Sequence, residues 1–138
     1  MLILINKMFK NGYIYWIMTV LMLVLIIVGT LSPQNSIELP SNGSDKSLHF
    51  VAFAALVSPL IFYNLKNSYW IVPLALALGA LIEVFQPIFG RHREVSDFYA
   101  DALGVLFALL AIATAKMLVK SKKLWKIFEI FHQYLREY

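Results

Sequence analysis

Residues 69–104 read YWIVPLALALGALIEVFQPIFGRHREVSDFYADALG. An apolar run long enough for a membrane helix ends in Glu83 and Gln86. A short charged loop, Arg91-His92-Arg93-Glu94, follows. A second apolar run then starts behind Ser96, Asp97 and Asp101. Charge beside hydrocarbon is costly, so polar residues placed there mark a functional site by default.

The rest of the chain has the same character. It is 138 residues long, 60% hydrophobic and 14% charged, with a mean hydropathy of +0.71. Soluble domains carry about 25% charged residues, so the composition points to an integral membrane protein. The length leaves room for one small helical domain and no separate soluble one. There is no cysteine, which excludes disulfides, thiol catalysis and cysteine-held metals. The net charge of +4 does not imply nucleic-acid binding, because the excess lies beside the apolar segments and at the C-terminus.

Four segments approach the roughly 20 residues a spanning helix needs: about 13–31, 48–65, 69–89 and 98–119. The first opens on Tyr13, Tyr15 and Trp16, where an aromatic belt would lie. It is too long for a signal-peptide core and has no clear cleavage site after it, so an uncleaved helix is expected. The turn at Lys66, Asn67 and Ser68 is short enough to make the second and third helices an antiparallel hairpin. The expectation is an all-α integral membrane bundle of four transmembrane helices (1–119) plus a C-terminal amphipathic helix (120–138). In that tail Leu124, Ile127, Phe128, Phe131, Tyr134, Leu135 and Tyr138 recur at helical spacing behind several lysines. Such a helix lies on a membrane surface.

With the N-terminus inside, nine Lys and Arg fall on the cytoplasmic side and three, Lys46, Arg91 and Arg93, on the other. The positive-inside rule then puts both termini in the cytoplasm. It also brings the start of helix two, the end of helix three and the start of helix four to one extracytoplasmic level. Asp45 and His49 (i, i+4), Glu83 and Gln86 (i, i+3), and Asp97 and Asp101 (i, i+4) each share a helix face. On helix three that face continues through Gly79 and Ala75, and on helix four through Gly104 and Ala108. Small residues let membrane helices approach closely, so the polar pairs should point into the bundle.

The candidate catalytic residues are His49, Glu83, Asp97 and Asp101, since desolvated carboxylates and histidine serve as acids and bases. The candidate substrate-binding residues are Asp45, Lys46, Gln86 and Arg93, with the cations suited to an anion. Oxygen ligands could hold Mg²⁺ or Ca²⁺, but the three histidines lack a zinc spacing such as H-E-x-x-H. No metal and no cofactor are assigned. Plainer roles compete: Asp45 or Ser44 as the cap of helix two, Ser96 or Asp97 as the cap of helix four, Asp45–Lys46 and Glu94–Arg91 as solvated pairs, His92 as a loop residue, and Glu83 in a salt bridge to Arg93.

Asp45-Lys46-Ser47-Leu48-His49-Phe50 resembles the D-K-x-x-H-F motif of the VanZ-like family, and Glu83-Val84-Phe85-Gln86 its E-x-x-Q. The stretch 93–104 is similar to the family's R-x-x-S-x-x-D-x-x-x-N-x-x-G region, compressed and with Asp101 in the Asn position. The resemblance covers about 45–110. It implies a small multi-pass protein of the bacterial inner membrane with a role at the cell envelope, in a family linked to glycopeptide (teicoplanin) resistance. Three readings follow. The first is a membrane enzyme or binding protein for an anionic lipid-linked or envelope molecule, with membrane lipid as a partner. The second is a structural or modulatory protein whose polar cluster packs helices. The third is a small transporter, against which stands the apolar inner half of the helices.

Overall fold

The computed structural model describes residues 12–31, 44–120 and 126. They form four helices: α1 (Tyr13–Leu31), α2 (Ser44–Tyr63), α3 (Ser68–Phe85) and α4 (Val95–Lys120). A 3-10 turn over Leu65–Asn67 joins α2 to α3, and another over Gln86–Phe89 follows α3. There is no strand among the described residues. All four helices are long and apolar enough to cross a membrane, where a helix satisfies its own backbone polar groups. The chain is built as a multi-pass membrane protein.

The core lies between the helices. Phe53, Val57, Leu60 and Ile61 of α2 are fully enclosed, against Ile71, Ala75 and Ile82 of α3, Val105 and Ala108 of α4, and Ile26 of α1. Helix α2 touches all three others and packs most extensively on α4. Gly104 makes that approach possible: a Cβ there would overlap the backbone carbonyl of Phe50 and lie 3.2 Å from the Ala54 nitrogen. The outward faces carry Val24, Val28, Leu106, Phe107 and Leu110, side chains suited to lipid contact.

One end of the bundle is aromatic. Tyr15 stacks on Tyr63 with ring centroids 5.2 Å apart, and Trp16 stacks on Trp70 at 5.4 Å. The start of α1, the end of α2 and the start of α3 are therefore level, as the topology requires. The last carbonyls of α2, which have no partner within the helix, are covered here. Asn67 Nδ2 donates to Leu60 O at 2.8 Å and Lys116 Nζ to Ile61 O at 3.2 Å.

The helix boundaries differ from the sequence expectation at the opposite end. Helix α2 begins at Ser44 and α4 at Val95, three to four residues before their apolar runs. A first turn needs helical backbone angles and not hydrocarbon, so hydropathy misses it. Helix α3 stops at Phe85, two residues before Pro87, whose missing N–H and bulky ring end the α-helical ladder. Gly90, with φ of 74°, closes the following turn. The expected amphipathic helix over 120–138 lies outside the described residues except for Lys120, which ends α4, and Lys126.

Candidate functional site

The end opposite the aromatic cluster holds the polar residues, and each helix is tied to another there. His49 on α2 and Asp101 on α4 meet through Nδ1 and Oδ1 at 2.9 Å. Asp101 is fully buried and His49 nearly so. An ionised carboxylate only accepts, so with Asp101 ionised the hydrogen of this bond is on Nδ1, and Nε2 is the ring nitrogen left for a further partner. That Nε2 faces Asp97 Oδ2 at 3.9 Å. Lys46 Nζ lies 3.0 Å from Glu94 Oε2 and 3.9 Å from Asp97 Oδ1. The Glu94 backbone N–H donates to Glu83 Oε2 at 3.1 Å, which fixes the loop before α4 to the end of α3. Arg91 reaches the other way: Nη1 donates to Gly29 O on α1 at 3.2 Å, and Nη2 lies 3.6 Å from Asp45 Oδ2.

The small-residue stripes aim these groups inward. Ala75, Gly79, Ile82 and Glu83 are the buried face of α3 near the site, and Asp97, Ala100, Asp101, Gly104 and Ala108 that of α4. Asp101 sits against Gly79, where a Cβ would come within 2.9 Å of Oδ2. Six of the eight candidate residues are thus brought into one network: Asp45, Lys46, His49, Glu83, Asp97 and Asp101. Gln86 is also buried, and Arg93 is exposed.

The network is only partly satisfied. Glu83 Oε1, Gln86 Oε1, Asp97 Oδ1 and Asp101 Oδ2 are buried oxygens without a hydrogen-bond partner among the described residues. Buried polar atoms are nearly always paired, so four orphans in one cluster set this end apart from ordinary packing. Beside them, Ala80, Glu83, Val84, Arg93, Val95 and Phe98 line a pocket of about 190 Å³ between α3 and the start of α4. Arg93 forms no ion pair among the described residues, including with Glu83.

Several plainer expectations fail for a common reason. The expected pairs Asp45–Lys46 and Glu94–Arg91 are exchanged for Asp45–Arg91 and Lys46–Glu94. Ser96 and Asp97 are not caps of α4; both lie in its first turn, and Ser96 Oγ donates to Glu94 Oε2 at 3.2 Å. Asp45 likewise lies within the first turn of α2. Local sequence proximity favours local pairs, whereas the bundle supplies partners up to 62 residues away.

Glu94, which reads in sequence as a solvated loop residue, is a junction between α2, α3 and α4. The hydrogen bond from Lys46 and its positive charge hold the Glu94 carboxyl below its ordinary value of 4.5. The available signal was its position at the foot of a helix opposite a cation. The zinc spacings sought in the sequence place metal ligands within single helices. Donor atoms of Asp45, His49 and Asp97 lie within 4.8 Å of one another, and no single-helix spacing could reveal a group divided between α2 and α4.

Comparison with family models, curated proteins and solved structures returns no match to this chain.

Proposed function

We propose that the chain is a VanZ-like protein of the bacterial cell envelope that binds or processes an anionic, lipid-linked molecule at the extracytoplasmic face. The observation that carries this reading is the pocket between α3 and α4. Its walls are apolar side chains of Ala80, Val84, Val95 and Phe98, and its polar end holds Arg93 and Glu83. Ala80, Val84 and Val95 are exposed on the lipid-facing side. A ligand with a hydrocarbon chain and an anionic head matches both features: the chain lies along the apolar wall and the head meets the Arg93 guanidinium. Buried Glu83, in the pocket wall, would exchange protons with the head group, and buried Gln86, one turn on, would hydrogen-bond it. His49, Asp97 and Asp101 line the adjoining α2–α4 face.

The test is native mass spectrometry of the protein released from gentle detergent. An anionic lipid or envelope precursor should co-purify with the wild type and be depleted in Arg93→Ala. Arg93 is exposed and has no ion pair among the described residues, so that variant should fold normally. Equal lipid retention by the two proteins would defeat the reading.

A second reading, a packing network that modulates envelope partners, draws on the Lys46–Glu94, His49–Asp101 and Glu83–Glu94 contacts, which tie α2, α3 and α4 together. The transporter reading has no comparable support. The half of the bundle toward the aromatic end is filled by Val57, Leu60, Ile61 and Ile71.

A further inference from the structure

We infer that Asp45, His49 and Asp97 form a binding site for a divalent transition-metal cation of the Zn²⁺ or Mn²⁺ class. One imidazole and two carboxylates are a mixed nitrogen and oxygen donor set. Imidazole favours zinc and its neighbours, and carboxylate admits manganese, whereas all-oxygen sites suit magnesium and calcium. Two carboxylates and a neutral imidazole also balance a dication.

The geometry goes beyond an acidic cluster. His49 turns Nε2 toward Asp97 because its Nδ1 is engaged by Asp101 Oδ1 at 2.9 Å. A carboxylate behind a histidine is the arrangement that orients metal-bound imidazoles and raises their basicity. Asp101 is fully buried and serves here as a positioning residue. Independently, Asp97 is only 4% exposed, and its Oδ1 lacks a hydrogen-bond partner while Oδ2 faces the histidine. Asp45, one turn before His49 on the same face, is the half-exposed member and provides the route of entry.

The donor atoms lie within 4.8 Å of one another. Tetrahedral ligation at about 2.0–2.2 Å places ligand atoms about 3.4 Å apart, so the group must close by up to about 1.4 Å, within reach of side-chain rotation. Two cations flank the site. Lys46 is 3.9 Å from Asp97 and Arg91 is 3.6 Å from Asp45, both beyond hydrogen-bond length. Each is ion-paired to a carboxylate of the set, so a bound dication would displace these pairings. Three protein donors leave a coordination position open, as in metal sites that accept an exogenous oxygen ligand.

The test is isothermal titration of the metal-stripped full chain, in detergent without added lipid, with zinc, manganese and magnesium chlorides. One equivalent of Zn²⁺ or Mn²⁺ should bind, and more tightly than Mg²⁺. Asp101→Asn should weaken binding by about 10- to 100-fold, His49→Ala and Asp97→Asn by at least as much, and His92→Gln not at all. Asp45→Asn, at the exposed edge, supplies a ligand variant should the buried ones fail to fold. In the wild type, Zn²⁺ should shift the ¹⁵N resonance of the His49 Nε2. The absence of saturable binding, a preference for Mg²⁺, or binding that survives loss of these ligands overturns the site. So does a metal-induced shift at His92 or His132 alone. Because lipid plays no part in the titration, such a failure leaves the Arg93 pocket untouched.

Discussion

Replacing Gly104 by alanine should loosen the candidate site from a distance. A Cβ at position 104 would overlap the Phe50 carbonyl and lie 3.0 Å from the Phe50 carbonyl carbon and 3.2 Å from the Ala54 nitrogen. All three are backbone atoms of α2, so no side-chain rotation relieves the contact. Reaching ordinary van der Waals separation requires α2 and α4 to part by on the order of 1 Å. The His49–Asp101 hydrogen bond spans the same interface at 2.9 Å, and a displacement of that size takes it out of bonding range.

Overpacking costs about 1–3 kcal/mol. A hydrogen bond to a charged group contributes about 1.5–3 kcal/mol in soluble proteins, though membrane-buried bonds average only about 0.6. Against this, alanine gains about 1 kcal/mol of helix propensity over glycine. The net is a loss of roughly 0.6–5 kcal/mol. Gly29→Ala is the control, since a Cβ at 29 meets nothing within 4 Å; it should be neutral or slightly stabilising. Equilibrium unfolding in mixed micelles, followed by circular dichroism, measures both. Gly104→Ala as stable as the wild type would refute the close α2–α4 approach and the dependence of the site upon it.

Two further outcomes follow from named contacts. Glu83→Ala removes the acceptor of the Glu94 N–H and should destabilise by about 1–3 kcal/mol, whereas Glu83→Gln keeps an acceptor and should lose less; the same unfolding assay compares them. The Glu94 carboxyl should titrate below 4.5 by ¹³C NMR and move back toward that value in Lys46→Ala. Because the folded value is the lower one, the pair's stabilisation is complete above 4.5 and disappears as pH falls through the lowered value. A Glu94 titration unaffected by removal of Lys46 would contradict the pairing.

The number of helices and their order were legible in the sequence because hydrocarbon permits few alternatives: long apolar runs must be helices. The inward direction of Glu83 and Asp101 was legible for a related reason. Gly79 and Gly104 share their faces, and small residues mark where helices touch. Partner choice was not legible. Arg91 stands three residues from Glu94 in sequence yet reaches Gly29 and Asp45, because the loop before α4 turns it toward α1. Nothing in local spacing encodes that turn. The donor group of Asp45, His49 and Asp97 was hidden for the same reason, since its halves lie on different helices. The start of α4 was misread because Ser96 and Asp97 make its first turn polar, where the hydropathy signal and the helix part company.

The unequal satisfaction of the cluster bears on whether it only packs helices. A packing network stabilises when every member is paired, and a half-paired one is worse than an apolar core. Here the paired atoms, His49 Nδ1 with Asp101 Oδ1, Glu83 Oε2 with the Glu94 N–H, and Lys46 with Glu94, suffice to hold α2, α3 and α4 in register. The second oxygens of Glu83, Asp97 and Asp101, and the amide oxygen of Gln86, add nothing to that register. Each would cost about 1–3 kcal/mol if left unpaired, so each calls for a donor from solvent or from a ligand. The same side chains that fix the bundle therefore present a second set of polar atoms suited to an outside partner. A cation at Asp97, or a polar head group beside Glu83 and Gln86, would convert that cost into binding energy.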